Sequence, residues 1–148
     1  MTNQPPNPNF FLGRVYDIAT GKTTDKPIYY DPADLTTHAF VTGMTGSGKT
    51  GLCIGLLEEA ALQGLPAVII DPKGDLTNLL LHFPDLLPTD FEPWIDPELA
   101  RRQNKTVSVM AEETAATWKN GLAGWGLGRE QLLALQAAAD FTVFTPGS

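Results

Sequence analysis

The chain is poor in the residues that staple a scaffold together, with one cysteine and two histidines among 148 residues. Cys53 has no partner for an internal disulfide and reads as a small hydrophobe on the apolar face of a helix. His38 and His82 share no metal-ligand spacing, and with one cysteine a structural zinc site is excluded. Basic residues are also scarce, 10 against 17 acidic, which gives a net charge of −7 and a pI near 4.6. Such a surface does not gather nucleic acid by neutralising phosphates. The densest basic patch, Arg101-Arg102 with Lys105, reads as a solvated helix face. No apolar run is long enough to span a bilayer, and the polar, proline-rich start Met1 to Pro8 lacks the basic region of a signal peptide. A cytoplasmic protein with no membrane association is expected. Hydrophobic content of 43 % and a mean hydropathy of −0.08 are ordinary, and the length suits one domain with a real core.

Glycine and proline, by contrast, are not scarce, and glycine concentrates where it matters. Gly43-Met44-Thr45-Gly46-Ser47-Gly48-Lys49-Thr50 matches G-x-x-x-x-G-K-[ST], the phosphate-binding loop of P-loop nucleotidases. Glycines at the first, fourth and sixth positions let the backbone adopt positive φ and approach an anion closely. The loop N–H groups then form a nest for phosphate oxygens, and the helix that follows adds its positive dipole end. Lys49 can reach the β- and γ-phosphates as a point charge and act in catalysis, while the Thr50 hydroxyl can hold Mg²⁺. The expected nucleotide contacts are Gly43, Met44, Thr45, Gly46, Ser47, Gly48, Lys49, Thr50 and Gly51, with ATP and Mg²⁺ as ligands.

The flanks suit the motif. His38-Ala39-Phe40-Val41-Thr42 reads as a buried strand. Leu52, Cys53, Leu56, Leu57, Ala60 and Ala61 recur at helical spacing, with Glu58 and Glu59 on the other side. This helix is expected from Lys49 to Gln63, closed by Gly64. A second apolar strand, Ala67 to Asp71, completes a strand-helix-strand unit, so the fold class is α/β with a parallel sheet. His38, at a strand start, sits at the wrong end of such a sheet for a general base and reads as structural.

Asp71-Pro72-Lys73-Gly74-Asp75 follows at the carboxyl end of that strand, where loops face the ligand. Asp71 is a candidate for holding magnesium or a magnesium-bound water, although no glutamate follows it as a Walker B motif has. Asp75 suits the N-cap of a helix over Leu76–Phe83. Lys73 is either a surface turn lysine or a contact to phosphate or to another subunit.

The remaining segments are organised more loosely. Residues 1–9 read as a flexible lead-in and residues 10–35 as a small β-rich segment, with strands near Phe10–Asp17 and Pro27–Tyr30. Tyr29 and Tyr30 could stack on a base, but core plus rim is the commoner arrangement. Residues 36–148 form the first part of a nucleotide-binding domain. Pro84 to Trp94 is a proline-punctuated structured loop. A helix lies between Pro97 and Asn120, with Asn104-Lys105-Thr106 a point of interruption. Gly121 to Gly128 reads as a helix–helix turn, Arg129 to Asp140 as a second helix, and Phe141 to Thr145 as a third strand. That strand ends without a carboxylate, and no arginine finger can be placed, so the nucleotide core is expected to be incomplete at the C-terminus.

The loop with its lead-in Thr36-Thr37-His38-Ala39-Phe40-Val41-Thr42, followed by Ile69-Ile70-Asp71-Pro72-Lys73-Gly74-Asp75-Leu76, resembles the HerA/FtsK superfamily of ATPases. Phe144-Thr145-Pro146-Gly147-Ser148 is similar to a strand end in HerA-like members. The resemblance implies a RecA-like core of the additional-strand class, homo-hexameric rings, and ATP hydrolysis that moves DNA through a pore. It places the Walker B Asp-Glu, a polar sensor and a subunit-bridging arginine beyond Ser148. DNA contact is then expected through the full-length assembly rather than through this acidic stretch. Two other readings stand beside it: a nucleotide-binding module that does not hydrolyse, and a small phosphotransferase.

Overall fold

A computed structural model describes residues 8–145 and 147; most of the expected lead-in and the terminal Pro146 and Ser148 lie outside the described residues. The chain divides into two compact units, one running up to Leu80 and resuming at Ala138, the other spanning Leu81–Ala137.

In the first unit, β1 (Phe10–Asp17) and β2 (Lys22–Tyr30) form an antiparallel hairpin. Asp17 builds the turn: its carboxylate accepts from the Ala19 N–H at 2.9 Å and the Thr20 hydroxyl at 2.8 Å, and its carbonyl accepts from the Gly21 N–H at 2.8 Å. Gly21 supplies the left-handed φ of +67° that closes the loop. The returning strand begins at Lys22, earlier than its apolar residues suggest. A two-stranded ribbon has an open face, so the polar Lys22–Asp25 stretch pairs without apolar alternation. Pro27 is tolerated opposite Arg14 because a two-stranded sheet consists of edges. The Tyr29 ring stands edge-on to Phe11 with centroids 5.9 Å apart, an intra-hairpin contact.

The hairpin packs on α1 (Lys49–Leu62), with Phe10 fully buried. Glu59 ties the two together by accepting the Phe11 N–H at 3.0 Å. Glu58 and Glu59 are both half-buried instead of lining a solvated face as the helical spacing suggests. α1 ends as expected. Gly64 takes φ +71°, its N–H reaches the Ala61 carbonyl, and the Leu65 N–H reaches Ala60, both at 2.9 Å.

No parallel sheet is shown among the described residues. Among the described residues the only sheet is the hairpin, and the three apolar segments expected as core strands (38–42, 67–71 and 141–145) carry no ladder. The physical reason is visible in their exposure. Buried parallel strands need neighbours on both edges and helices on both faces, yet Val68 is 95 % and Ile70 87 % exposed, with Phe40 and Phe144 similarly open. Partial packing does occur: Ala67, Ile69 and Phe141 line a groove of about 210 Å³ with Leu57 and Ala61 of α1. The segment after Asp71 is a 3-10 turn, Asp75–Leu80, shorter than the helix expected there. It packs on α1, with Leu79 buried.

The second unit is helical. α2 (Pro88–Phe91) runs into a 3-10 turn, Glu92–Trp94, within the proline-punctuated loop. α3 (Pro97–Arg102) is capped by Asp96, which accepts the Glu98 N–H at 2.9 Å. Asn104, at φ +55°, closes α3 and interrupts the helical stretch where expected. α4 (Val107–Trp125) starts from the Thr106 cap and continues through Gly121 and Gly124. The expected helix–helix turn shrinks to Gly126-Leu127-Gly128 before α5 (Arg129–Ala138). Each interior glycine costs about 1 kcal/mol relative to alanine, and tertiary packing elsewhere on α4 outweighs it. Ala111 and Ala115 are buried against Phe91, with Phe83, Leu86 and Ile95 packed around them. Phe83 and Phe91 meet edge to face at 5.1 Å. Leu135 is buried on α5. No helix among the described residues is long and apolar enough to cross a membrane.

Glu58 gives this packing a pH signature. Burial, and then the neighbouring Glu59 charge, hold its carboxyl above the usual carboxylate range. A raised carboxylate pKa in the fold means that ionisation opposes folding, so the penalty is absent below the unfolded value of about 4.3 and develops as pH rises above it. Glu58→Gln should therefore raise the thermal midpoint at pH 7 and leave it unchanged near pH 3.5. Parallel midpoint curves for the two proteins across that range would contradict the burial assigned to Glu58.

Candidate functional site

The glycine stretch folds as one turn feeding a helix. The Ser47 N–H donates to the Met44 carbonyl at 3.2 Å, closing a turn whose third residue, Gly46, has φ +81°. A side chain there would force the strained left-handed region, which is why the turn needs glycine. Gly48 follows at φ +88° as the N-cap of α1, and no side chain caps the helix. The first-turn N–H groups of an α-helix have no intrahelical acceptors. Without a capping side chain they remain available to an anion. Gly43 also has a steric role: a Cβ there would stand 2.5 Å from the Ser47 hydroxyl, so a side chain would collide with Ser47 as it now stands.

Lys49 is the first residue of α1, and its ammonium donates to the Met44 carbonyl at 2.6 Å. The cation is folded back over the turn, held by an uncharged acceptor that a phosphate oxygen would outcompete. Thr50 is exposed on the first turn, and its hydroxyl makes no hydrogen bond among the described residues. Met44, Thr45 and Gly51 are exposed beside it, so the loop residues named from sequence form one continuous feature.

Asp71 belongs to a second loop and turns inward on it. Its Oδ1 accepts from the N–H groups of Lys73 at 3.3 Å and Gly74 at 2.9 Å, and its Oδ2 from Leu76 at 2.8 Å. These bonds, with the Leu76 contribution largest, lower the Asp71 pKa below the usual carboxylate range. Gly74 adopts φ +80° to let the chain wrap around the carboxylate. Lys73 is exposed and pairs with Asp75 at 2.5 Å. That hydrogen bond and the Asp75 charge raise the Lys73 pKa. Asp75 is thus a partner for Lys73 as well as the start of a 3-10 turn, a role its sequence position did not signal. His38 is exposed, and His82 lies in the other unit.

A left-handed glycine turn, an uncapped helix N-terminus and a lysine at its first position define the P-loop class of nucleotide-binding proteins. The chain belongs to the family described as "Helicase HerA, central domain", whose model matches residues 10–133. It is also similar to the type 4 coupling protein DotL of Legionella pneumophila subsp. pneumophila, 34 % identical over 68 residues, which cover 46 % of this chain and 9 % of that protein. No solved structure matches the chain. The resemblance to HerA/FtsK-like ATPases read from the two loops is thereby borne out, and with it a P-loop fold whose family uses ATP and Mg²⁺ in general.

The left-handed Gly48 cap yields a stability test. An L-residue in that conformation costs about 1–2 kcal/mol, so Gly48→Ala should lower the urea-unfolding free energy by about that amount. An unchanged midpoint would contradict the assigned conformation.

Proposed function

We propose that this chain is the ATP-binding portion of a DNA-translocating ATPase, with ATP·Mg²⁺ held by the loop Gly43–Gly51. The observation that carries the reading is the Gly46–Gly48 left-handed turn running into an uncapped α1 with Lys49 at its first position. The residues fit the ligand. The cradle stays open because Gly43 has no side chain, the backbone donors have no competing cap, and the lysine's present acceptor is a neutral carbonyl.

Binding would move the Lys49 ammonium from the Met44 carbonyl to a phosphate oxygen. The exposed Thr50 hydroxyl would hold magnesium, while both oxygens of Asp71 already accept backbone N–H bonds. Among the described residues no cluster of three or more His, Cys, Asp or Glu could hold a metal ion. This suits magnesium, which keeps several waters and shares its shell with substrate phosphates. When bound, the ion neutralises charge on the β- and γ-phosphates.

Hydrolysis is proposed to need a base or water-positioning residue besides those of the phosphate loop. With a net charge of −7, DNA contact is proposed to come through a larger assembly, a homo-hexamer working in the cytoplasm. A non-hydrolysing nucleotide-binding module is the second reading. It is favoured by the commitment of the Asp71 carboxylate to its own loop.

Titration with a fluorescent ATP analogue, with Mg²⁺ and with EDTA, tests the binding claim. Lys49→Ala should weaken affinity about 10- to 100-fold, the value of a hydrogen bond to a charged group. Thr50→Ala should leave the EDTA affinity unchanged and reduce the gain that magnesium confers. Equal affinity of Lys49→Ala and wild type would overturn the proposal.

A further inference from the structure

We infer that Asp71 is a positioning residue, one that organises the loop flanking the P-loop helix, and that it does not ligate magnesium. The inference deepens the ATP-binding proposal and rests on it for the metal arm of its test.

Its geometry is that of an anion nest occupied by the chain's own carboxylate. Backbone N–H groups of Lys73, Gly74 and Leu76 converge on the two oxygens, and Gly74 supplies the left-handed turn that aims them. Nests of this kind elsewhere receive phosphate; here the position is filled from within. A magnesium ligand needs a lone pair directed away from the loop, and each N–H bond accepted withdraws charge from the oxygen that would bind the ion.

What the carboxylate holds in place is equally specific. Its Oδ2 fixes the Leu76 N–H at the start of the 3-10 turn Asp75–Leu80. That turn buries Leu79 and packs on α1, the helix that begins at Lys49. Its Oδ1 fixes the backbone of Lys73 and Gly74, so the exposed Lys73 ammonium is delivered to Asp75. Asp71 therefore orders this loop, setting where the 3-10 turn packs on α1.

The two oxygens have different partners, and this makes the test sharp. Asparagine keeps one acceptor oxygen and replaces the other with a donor. It should retain the side with two N–H partners, Lys73 and Gly74, and present an NH₂ group to Leu76. Amide hydrogen exchange on the full chain should then show Leu76 accelerated in both Asp71→Asn and Asp71→Ala. Gly74 should be accelerated in Asp71→Ala alone, by about 10-fold or more for loss of a charge-assisted bond. In the fluorescent-ATP titration, the affinity gained on adding Mg²⁺ should be as large in both variants as in wild type, while Thr50→Ala reduces it.

Unchanged exchange at Gly74 and Leu76 in Asp71→Ala would overturn the inference. A magnesium gain that falls in Asp71→Asn as it does in Thr50→Ala would also overturn it. Should the wild-type chain bind no ATP, the function proposal fails by itself. The exchange pattern at Gly74 and Leu76 then decides the role of Asp71 without it.

Discussion

The first unit depends on how α1 begins. A helix N-terminus carries uncompensated N–H groups and roughly half a positive charge, and most helices satisfy that end with a serine, threonine, aspartate or asparagine. Here Gly48 enters the helix in the left-handed region and no side chain takes the cap. The missing cap costs stability that a bound anion would return. Gly43, Gly46 and the backward fold of Lys49 all serve that open end, keeping atoms out of the space or a cation beside it.

The rest of that unit is fastened to the same helix. The hairpin is held by Phe10 burial and by the Glu59 bond to the Phe11 N–H. The 3-10 turn after the Asp71 loop packs on α1 through its own short apolar face. Both attachments reach one element, the helix that opens at the phosphate loop. The second unit has its own small core, in which Phe83 and Phe91 meet edge to face near Ala111 and Ala115. Alanines at those positions let α4 lie close to the aromatic pair, and the close fit carries the helix past two interior glycines.

How far the sequence could be read follows from how local each feature is. The left-handed turn through Gly46 and Gly48 into α1 was legible because it depends on backbone geometry set by glycines within a few residues. The ends of α1 and the break at Asn104 were legible for the same reason: the left-handed conformations sit at the residues expected to adopt them. The segments around Phe40, Val68 and Phe144 read as buried strands because they are apolar, but a strand exists only where a neighbour supplies its hydrogen bonds. Apolar character reports a preference for burial, and among the described residues Val68 and Ile70 are left exposed. Glu58 and Glu59 misled in the opposite sense, since helical periodicity places charges outward while β1 comes to cover that side. The Asp71 carboxylate could not be assigned from position alone. A ligand-facing loop and a self-capping loop use the same residues, and only the N–H directions separate them.

The central claim is that the Gly46–Gly51 backbone receives a nucleotide phosphate. The most direct test is the amide spectrum of isotopically labelled protein titrated with ATP and Mg²⁺. The account predicts large saturable shifts at the N–H groups of Gly46, Gly48, Lys49, Thr50 and Gly51. Amides of the second unit, Leu81–Ala137, should stay unmoved. Saturable shifts confined to other residues, with these five amides unchanged, would contradict it.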